Sequence, residues 1–291
     1  MAGGYLSRFN VKVANRMFKT RYRLARFTRR SKTFNRVVVK AAFEGDDMVV
    51  LPKDGTVRRT IQTDISIEGA DETTVLPSDV VKGVMSKTDD IFIMDFCLCR
   101  QSNKCHDYPI DMGCVFLGSG IHKIPDKYGH VATYEEASAY IDRCGDLGLV
   151  HIIGRNKLDA LWLNVGKGSE LLTICNCCPC CCLWNMVREI SDEIGSVFKR
   201  MDSVEVSVDP EKCTGCGICT ESCFTRALSV KDGRCEINQS SCRGCGRCVD
   251  ICPSDAISIT FDPSVTEAEI KRISSKFKSL DPEARGEDFS I

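Results

Sequence analysis

Much is missing from this sequence. It contains no G-x-G-x-x-G and no G-x-x-x-x-G-K-[ST], so neither a dinucleotide fingerprint nor a phosphate loop is present. No nucleophile–base motif of an acyl-transfer enzyme occurs either. No run of 18 apolar residues exists, which argues against a spanning helix, and no apolar leader with a cleavage site follows Met1, which argues against secretion. Histidine is scarce, with four residues and none after His151. Acidic residues are absent from positions 1–40, which carry twelve Lys or Arg. The remainder holds 27 basic against 40 acidic side chains, a net of −13 hidden behind an overall charge of −1. A basic arm on an acidic body is the result.

What is abundant is cysteine: twenty among 291 residues. A disulfide scaffold is implausible at this length, and clustered C-x2-C and CC runs in an intracellular chain mean metal. So many reduced thiols suit a cytoplasm low in oxygen, and a cytoplasmic location is the expectation. With 43% hydrophobic and 27% charged residues, the chain is globular with room for about two domains.

The stretch from Val204 to Phe261 carries two runs of C-x2-C-x2-C-x3-C: Cys213, Cys216, Cys219, Cys223, then Cys242, Cys245, Cys248, Cys252 before Pro253. Three thiolates two residues apart wrap one tight loop around a cubane face, and the fourth comes from the other run. The spacing therefore assigns Cys213, Cys216, Cys219 and Cys252 to one 4Fe-4S cluster, and Cys242, Cys245, Cys248 and Cys223 to a second. Gly215, Gly217, Gly244 and Gly246 stand where backbone must curl closely and aim N–H groups at sulfur. Ile218, Val249, Ile251 and Ile257 are the expected apolar wall. The alternative, a pair of zinc knuckles, usually spaces its Cys pairs by a dozen or more residues and often includes His. The segment closely resembles a bacterial-type two-cluster ferredoxin over about a fifth of the chain. That resemblance implies a pseudo-twofold repeat of strand, cluster loop and short helix, and one-electron transfer between two nearby cubanes. Phe224 departs from it, standing where the family usually has Pro; the local turn should be looser.

In the basic arm, Leu6, Phe9, Val13, Met17, Leu24 and Phe27 keep a roughly helical spacing between Arg and Lys. Packing on the chain's own acidic body or on a protein partner is the favoured reading. Docking on an anionic membrane surface and a transit-peptide role stay open; nucleic-acid binding lacks any recognition motif. From Arg36 to Ile67, VVVKAAF, MVVLP and DISIEG with the Asp54-Gly55 turn predict a small antiparallel region. Ser78 is the expected N-cap of a helix burying Val80, Val81, Val84 and Met85, and a strand follows from Ile91 to Phe96. Thr133 caps a second helix, Tyr134 to Cys144, ahead of a strand at Leu149–Ile153. Cys144 reads as packing and lone His151 as core, with a ligand-orienting role for His151 as the lesser alternative.

Cys97, Cys99, Cys105 and Cys114 begin where the first of these strands ends, and Cys175, Cys177, Cys178, Cys180, Cys181 and Cys182 crowd eight residues. Neighbouring side chains diverge on any regular backbone, so the six cannot all face one point. Ten candidate thiolates suffice for two further cubanes, or for one larger or non-cubane cluster. Zinc, a redox dithiol and inert buried cysteine are the competing readings. Leu76 to Cys182 resembles a group of uncharacterised iron–sulfur proteins from anaerobes, which place an FCxCR–C–C element (Phe96 to Arg100) and a CNCCxCCC element (Cys175 to Cys182) ahead of a ferredoxin module. No reaction comes with that resemblance.

Leu183, Val187, Ile190, Ile194 and Val197 predict one amphipathic linking helix, with Trp184 packed near the cysteine run. Asp232-Gly233 predicts a hairpin turn, with Cys235 in the core of its return strand. Thr266 to Glu269 reads as a capping box opening a helix with a stripe of Ile270, Ile273, Phe277 and Leu280, ended by Pro282. The expected fold class is α+β. The expected divisions are an arm (1–36), a cysteine-rich α/β domain (37–182), a linking helix (183–203), a two-cluster module (204–262) and a helix with tail (263–291). The leading functional expectation is an electron-transfer protein serving a redox partner through two 4Fe-4S clusters and one or two upstream clusters. A reductase with an open iron site, protonated by His151, Arg100 or His106, is the second reading. An activator of a partner's corrinoid or metal centre is the third.

Overall fold

The computed structural model describes residues 18–59, 75–166 and 168–277. Short β-branched and aromatic runs build most of its sheet structure. Asp47–Val50 is β1, Val57–Arg59 β2, Ile91–Met94 β3, Val115–Leu117 β4, Gly129–Val131 β5, Val150–Arg155 β6, Leu172–Cys177 β7 and Phe198–Arg200 β8. Seven of these eight form one sheet in the order β5-β3-β4-β7-β6-β1-β8. Every pairing is antiparallel except β1 with β8.

Alternate residues of each strand enter different cores, as a period of two requires. Val49, Ile93, Val115, Ile153 and Ile174 face the helices Pro77–Met85 and Tyr134–Asp146. Met48, Val50, Val150, Ile152, Cys175 and Cys177 face the opposite side, against Trp184 and Phe198, whose rings lie 4.8 Å apart. Burial on both faces explains why these strands read as continuous apolar runs.

The ferredoxin-like part contributes β9 (Val204–Val208), the hairpin β10 (Leu228–Lys231) and β11 (Arg234–Ile237), and β12 (Ile257–Phe261). β9 pairs antiparallel with β12, and β12 pairs parallel with β2 from far upstream. Residues Ile257, Ile259 and Phe261 share one hydrophobic cluster with Val80, Val84 and Ile93. The helix Thr266–Ser274 closes this joint: Ile270 seats over Gly83, where a Cβ would leave it no room. The mixed architecture agrees with the expected α+β class, and Cys144 and His151 are buried as expected.

Several local expectations are corrected. Residues 183–203 are not one helix but a 3-10 segment (Leu183–Arg188), a short helix (Asp192–Gly195) and β8. Ser191 starts the short helix by accepting from the Ile194 N–H, and β1 recruits Phe198–Arg200 as a parallel edge. The apolar residues Val187, Ile190 and Ile194 are buried all the same. Val37–Phe43 is helical, continuing from the helix that Ser31 caps, and DISIEG lies outside the described residues. Ser78 is not the N-cap: Leu76 holds that place, its N–H donating to Asp79 Oδ2, while the Ser78 N–H donates to Asp54. The Thr266 capping box is absent; Glu269 turns instead to Arg272, at 2% exposure for the carboxylate side chain. Leu280 and Pro282 lie outside the described residues.

Of the arm, Arg21–Arg30 and Lys32–Val38 are helices. They pack on the chain's own body through polar contacts and through Ala25, Tyr22 and Val38, which join the cluster around Trp184. Arg29 donates to Ile190 O at 2.6 Å, Asn35 to Glu193 at 2.5 Å, and Ser191 meets Thr28 and Asn35. Leu24 and Phe27, expected on the docked stripe, face outward. Leu6, Phe9, Val13 and Met17 lie outside the described residues. Among the described residues, no helix is long and apolar enough to cross a membrane.

Candidate metal centres

The two cysteine runs fold as near-copies. Gly217 and Gly246 occupy left-handed conformations that start the short helices Ile218–Ser222 and Arg247–Asp250. Cys223 and Cys252 follow those helices, and each receives an N–H from four residues on: Ala227 to Cys223 Sγ at 3.2 Å, Ala256 to Cys252 Sγ at 3.3 Å. Each also has a hydroxyl neighbour two residues on, Thr225 and Ser254. One cavity is lined by Cys213, Cys216, Cys219 and Cys252, and a separate one by Cys242, Cys245, Cys248 and Cys223. The first three thiols of each run thus meet the fourth of the other. A further N–H, from Cys235, points at Cys213 Sγ at 3.3 Å. The apolar wall is narrower than expected: Ile257 is buried, but Ile218 and Ile251 face solvent. Burial pushes the thiols of Cys242, Cys245 and Cys248 up, so filling this cavity with metal would release protons.

The ten upstream cysteines collect at one end of the seven-stranded sheet. Cys97 follows β3, Cys114 precedes β4, and Cys175 and Cys177 lie on β7. Val115 pairs with Ile174, so the register sets Cys114 across from Cys175, with sulfurs 3.9 Å apart. Six thiols then follow one another as a largely buried chain of neighbours. Cys114 donates to Cys175. Cys177 neighbours Cys175 and Cys182, and Cys99 neighbours Cys182 and Cys97. Cys97 and Cys182 are the two whose ionisation this arrangement favours. The Cys99 hydrogen bond outweighs burial and, with the Arg100 cation, brings Cys97 down to about 7. At Cys182 burial is the largest influence and opposes ionisation. Hydrogen bonds from Cys177 and Cys99, with Arg247, still hold it well below the usual thiol range. Cys105, Cys178, Cys180 and Cys181 form a second, compact group, their sulfurs all within 4.8 Å of one another.

Two buried cations organise this end. Arg100 is fully buried, donating to Asn176 O at 3.1 Å and to Met112 O. Arg247 comes from the second ferredoxin loop. It donates to Asn185 Oδ1 at 2.8 Å and to Cys178 O at 3.0 Å, reaching across to the upstream turn. Its guanidinium lies 5.2 Å from the Phe224 ring, so Phe224 packs at the junction. Nothing in the spacing of cysteines signals Arg247; a charged residue between two cluster ligands was the only hint. His151 Nδ1 meets Asn176 Oδ1 at 2.9 Å inside the core, and burial lowers its basicity. His106 is exposed beside Cys105.

A family model described as a 4Fe-4S dicluster domain matches residues 205–253. No curated protein and no solved structure matches the chain. The chain therefore carries a 4Fe-4S dicluster domain, which supports iron–sulfur electron transfer. The upstream thiols lie outside that match.

Proposed function

We propose that this protein is a one-electron carrier with eight ferredoxin thiols holding two cubanes and the six-thiol chain holding a further iron–sulfur centre. It serves a redox partner in a cytoplasm low in oxygen. The observation that carries the reading is the junction at Arg247. This residue sits between Cys245 and Cys248 and bonds to the backbone of the upstream cysteine turn. Cys245 packs into the same cluster of side chains as Cys175, Cys177 and Cys182. Bound clusters supply one-electron chemistry at potentials set by burial, hydrogen bonds to sulfur and net charge. The chain's part is to exclude water and to hold charge: Phe224 and Trp184 dry the junction, and Arg100 and Arg247 offset thiolate charge.

The ligand sets proposed are Cys213, Cys216, Cys219 and Cys252; Cys242, Cys245, Cys248 and Cys223; and Cys97, Cys99, Cys114, Cys175, Cys177 and Cys182. Replacing Cys177 and Cys182 by Ser in anaerobically purified protein should remove upstream iron and sulfide and leave the ferredoxin paramagnetic signals intact. A wild-type protein whose iron and sulfide amount to two cubanes alone would sink the upstream centre.

A reductase is the second reading. The open concavity beside Cys105, lined by Asp95, His106, Tyr108 and Asp111, favours it, since it sets an imidazole beside a space where an acceptor could bind. Turnover of any small-molecule acceptor that His106→Gln suppresses, with reduction of the centres unaltered, would select that reading.

A further inference from the structure

We infer that Cys105, Cys178, Cys180 and Cys181 form a separate site for one tetrahedral thiophilic ion, Zn²⁺ or Fe²⁺, that belongs to no cluster. The inference stands whether or not the six-thiol chain holds iron. Its warrant is the size of the group. A tetrahedral metal–sulfur distance of about 2.3 Å places four sulfurs about 3.8 Å apart. Here all four lie within 4.8 Å of one another, and Cys105 and Cys180 are 3.5 Å apart. A cubane binds its four thiolates through four different irons at alternate corners, which spreads them wider. The molecule contains its own control: among the described residues, no other group of three or more such donors is so compact, the ferredoxin quartets included.

The scaffold suits a small ion. Three thiols come from the single turn Cys178-Pro179-Cys180-Cys181, and the fourth from the loop after the helix Leu98–Asn103. Asn103 donates to Cys181 O at 3.2 Å, Asn185 to Pro179 O at 2.7 Å and Arg247 to Cys178 O at 3.0 Å, so the turn is held from three sides. Sulfur receives an N–H group as well: Cys181 N lies 3.3 Å from Cys178 Sγ. Four thiolates around a divalent ion leave a net charge of about −2, and the nearby Arg100 cation opposes it. Cys180 is exposed, which gives an ion a way in.

The test counts atoms in the full chain after anaerobic purification. Cubanes contain iron and acid-labile sulfide in equal numbers, so a single-ion site appears as an excess of about one metal ion over sulfide per chain. The double variant Cys105→Ser/Cys180→Ser should lose that ion and keep its sulfide unchanged. X-ray absorption at the zinc edge separates the two ions. Zinc would show four sulfurs at about 2.3 Å with no metal neighbour, and iron would leave the zinc edge empty with the excess still present. Loss of about four irons together with four sulfides from the double variant would make the quartet a cubane site and overturn the inference. So would a wild-type chain with neither a zinc-edge signal nor the Mössbauer signal of a mononuclear iron held by four thiolates, a reading that does not depend on the variant folding.

Discussion

Cys213, Cys216 and Cys219 share one loop, and its glycine conformations set their spacing. Cys97, Cys114 and Cys177 lie at or just beyond the ends of three strands and share one end of the sheet because β4 pairs with both β3 and β7. The first arrangement is local and repeated: Gly217 and Gly246, Cys223 and Cys252, and the N–H groups of Ala227 and Ala256 are matched pairs. The second has no internal symmetry and relies on buried cations. A loop-borne quartet can be disturbed alone, whereas the sheet-borne thiols are disturbed by whatever moves the sheet.

The largest expected effect tests the independence of one loop. Gly215 has φ +68, and a Cβ there would press into the backbone carbonyl of Gly233 at the hairpin turn, which cannot yield. Gly215→Ala should abolish the centre of Cys213, Cys216, Cys219 and Cys252, removing about half of the ferredoxin iron, with the upstream metal retained. Gly244→Ala should be milder, because its nearest neighbours are the side chains of Val204 and Arg200, at 2.7 and 3.1 Å. Iron and sulfide counts with paramagnetic resonance read both. Equal losses from the two variants would break the argument that backbone, not side chain, limits the first loop.

Arg247 is where the two arrangements touch, and its removal sharpens the comparison. Arg247→Met keeps much of the apolar stem but leaves Asn185 Oδ1 and the carbonyls of Cys177 and Cys178 without their donor. Stranding buried acceptors of a charged donor should cost about 2–4 kcal/mol by anaerobic denaturation. Electron passage from the ferredoxin centres to the upstream centre, followed after rapid reduction, should slow. A variant with wild-type stability and wild-type kinetics would leave Arg247 a bystander.

The same contrast explains what the sequence made legible. The C-x2-C-x2-C-x3-C runs, the Asp232-Gly233 turn and the Thr133 cap are short-range signals, and each appears where expected. The thiol partition could not be read, because it depends on the register of Val115 with Ile174 and on the turn after Cys177. Residues 183–203 misled for a related reason. Their helical spacing of apolar residues is real, and Val187, Ile190 and Ile194 are buried, but Ser191 restarts the backbone and β1 captures its end as a strand. Val37–Phe43 erred the other way: its β-branched residues are overridden by the helix running in from Ser31. Arg247 and Phe224 carried no motif at all, since what defines them is a neighbour far away in sequence.

The smallest effect lies at the other end of the sheet, away from the cysteines. Asp46 accepts the Lys157 N–H at 2.8 Å beside Arg155, where β1 and β6 pair. Burial raises its carboxyl to about 7, against the opposing Lys157 hydrogen bond. The folded chain therefore keeps a proton that the unfolded chain releases near its ordinary value of 3.8. Stability from this group is full at the acid end and falls as pH rises from about 4 to about 7. Because the site is partly open to solvent, the loss should be only about 1–2 kcal/mol. Asp46→Asn keeps the acceptor and has no charge to desolvate, so denaturation between pH 5.5 and 8 should show a flatter profile and a more stable variant at pH 8. Its metal content and paramagnetic signals should match wild type. A shift in those signals would mean that strain at this end reaches the thiols through the strands, and the sheet would then be a mechanical link between its two ends.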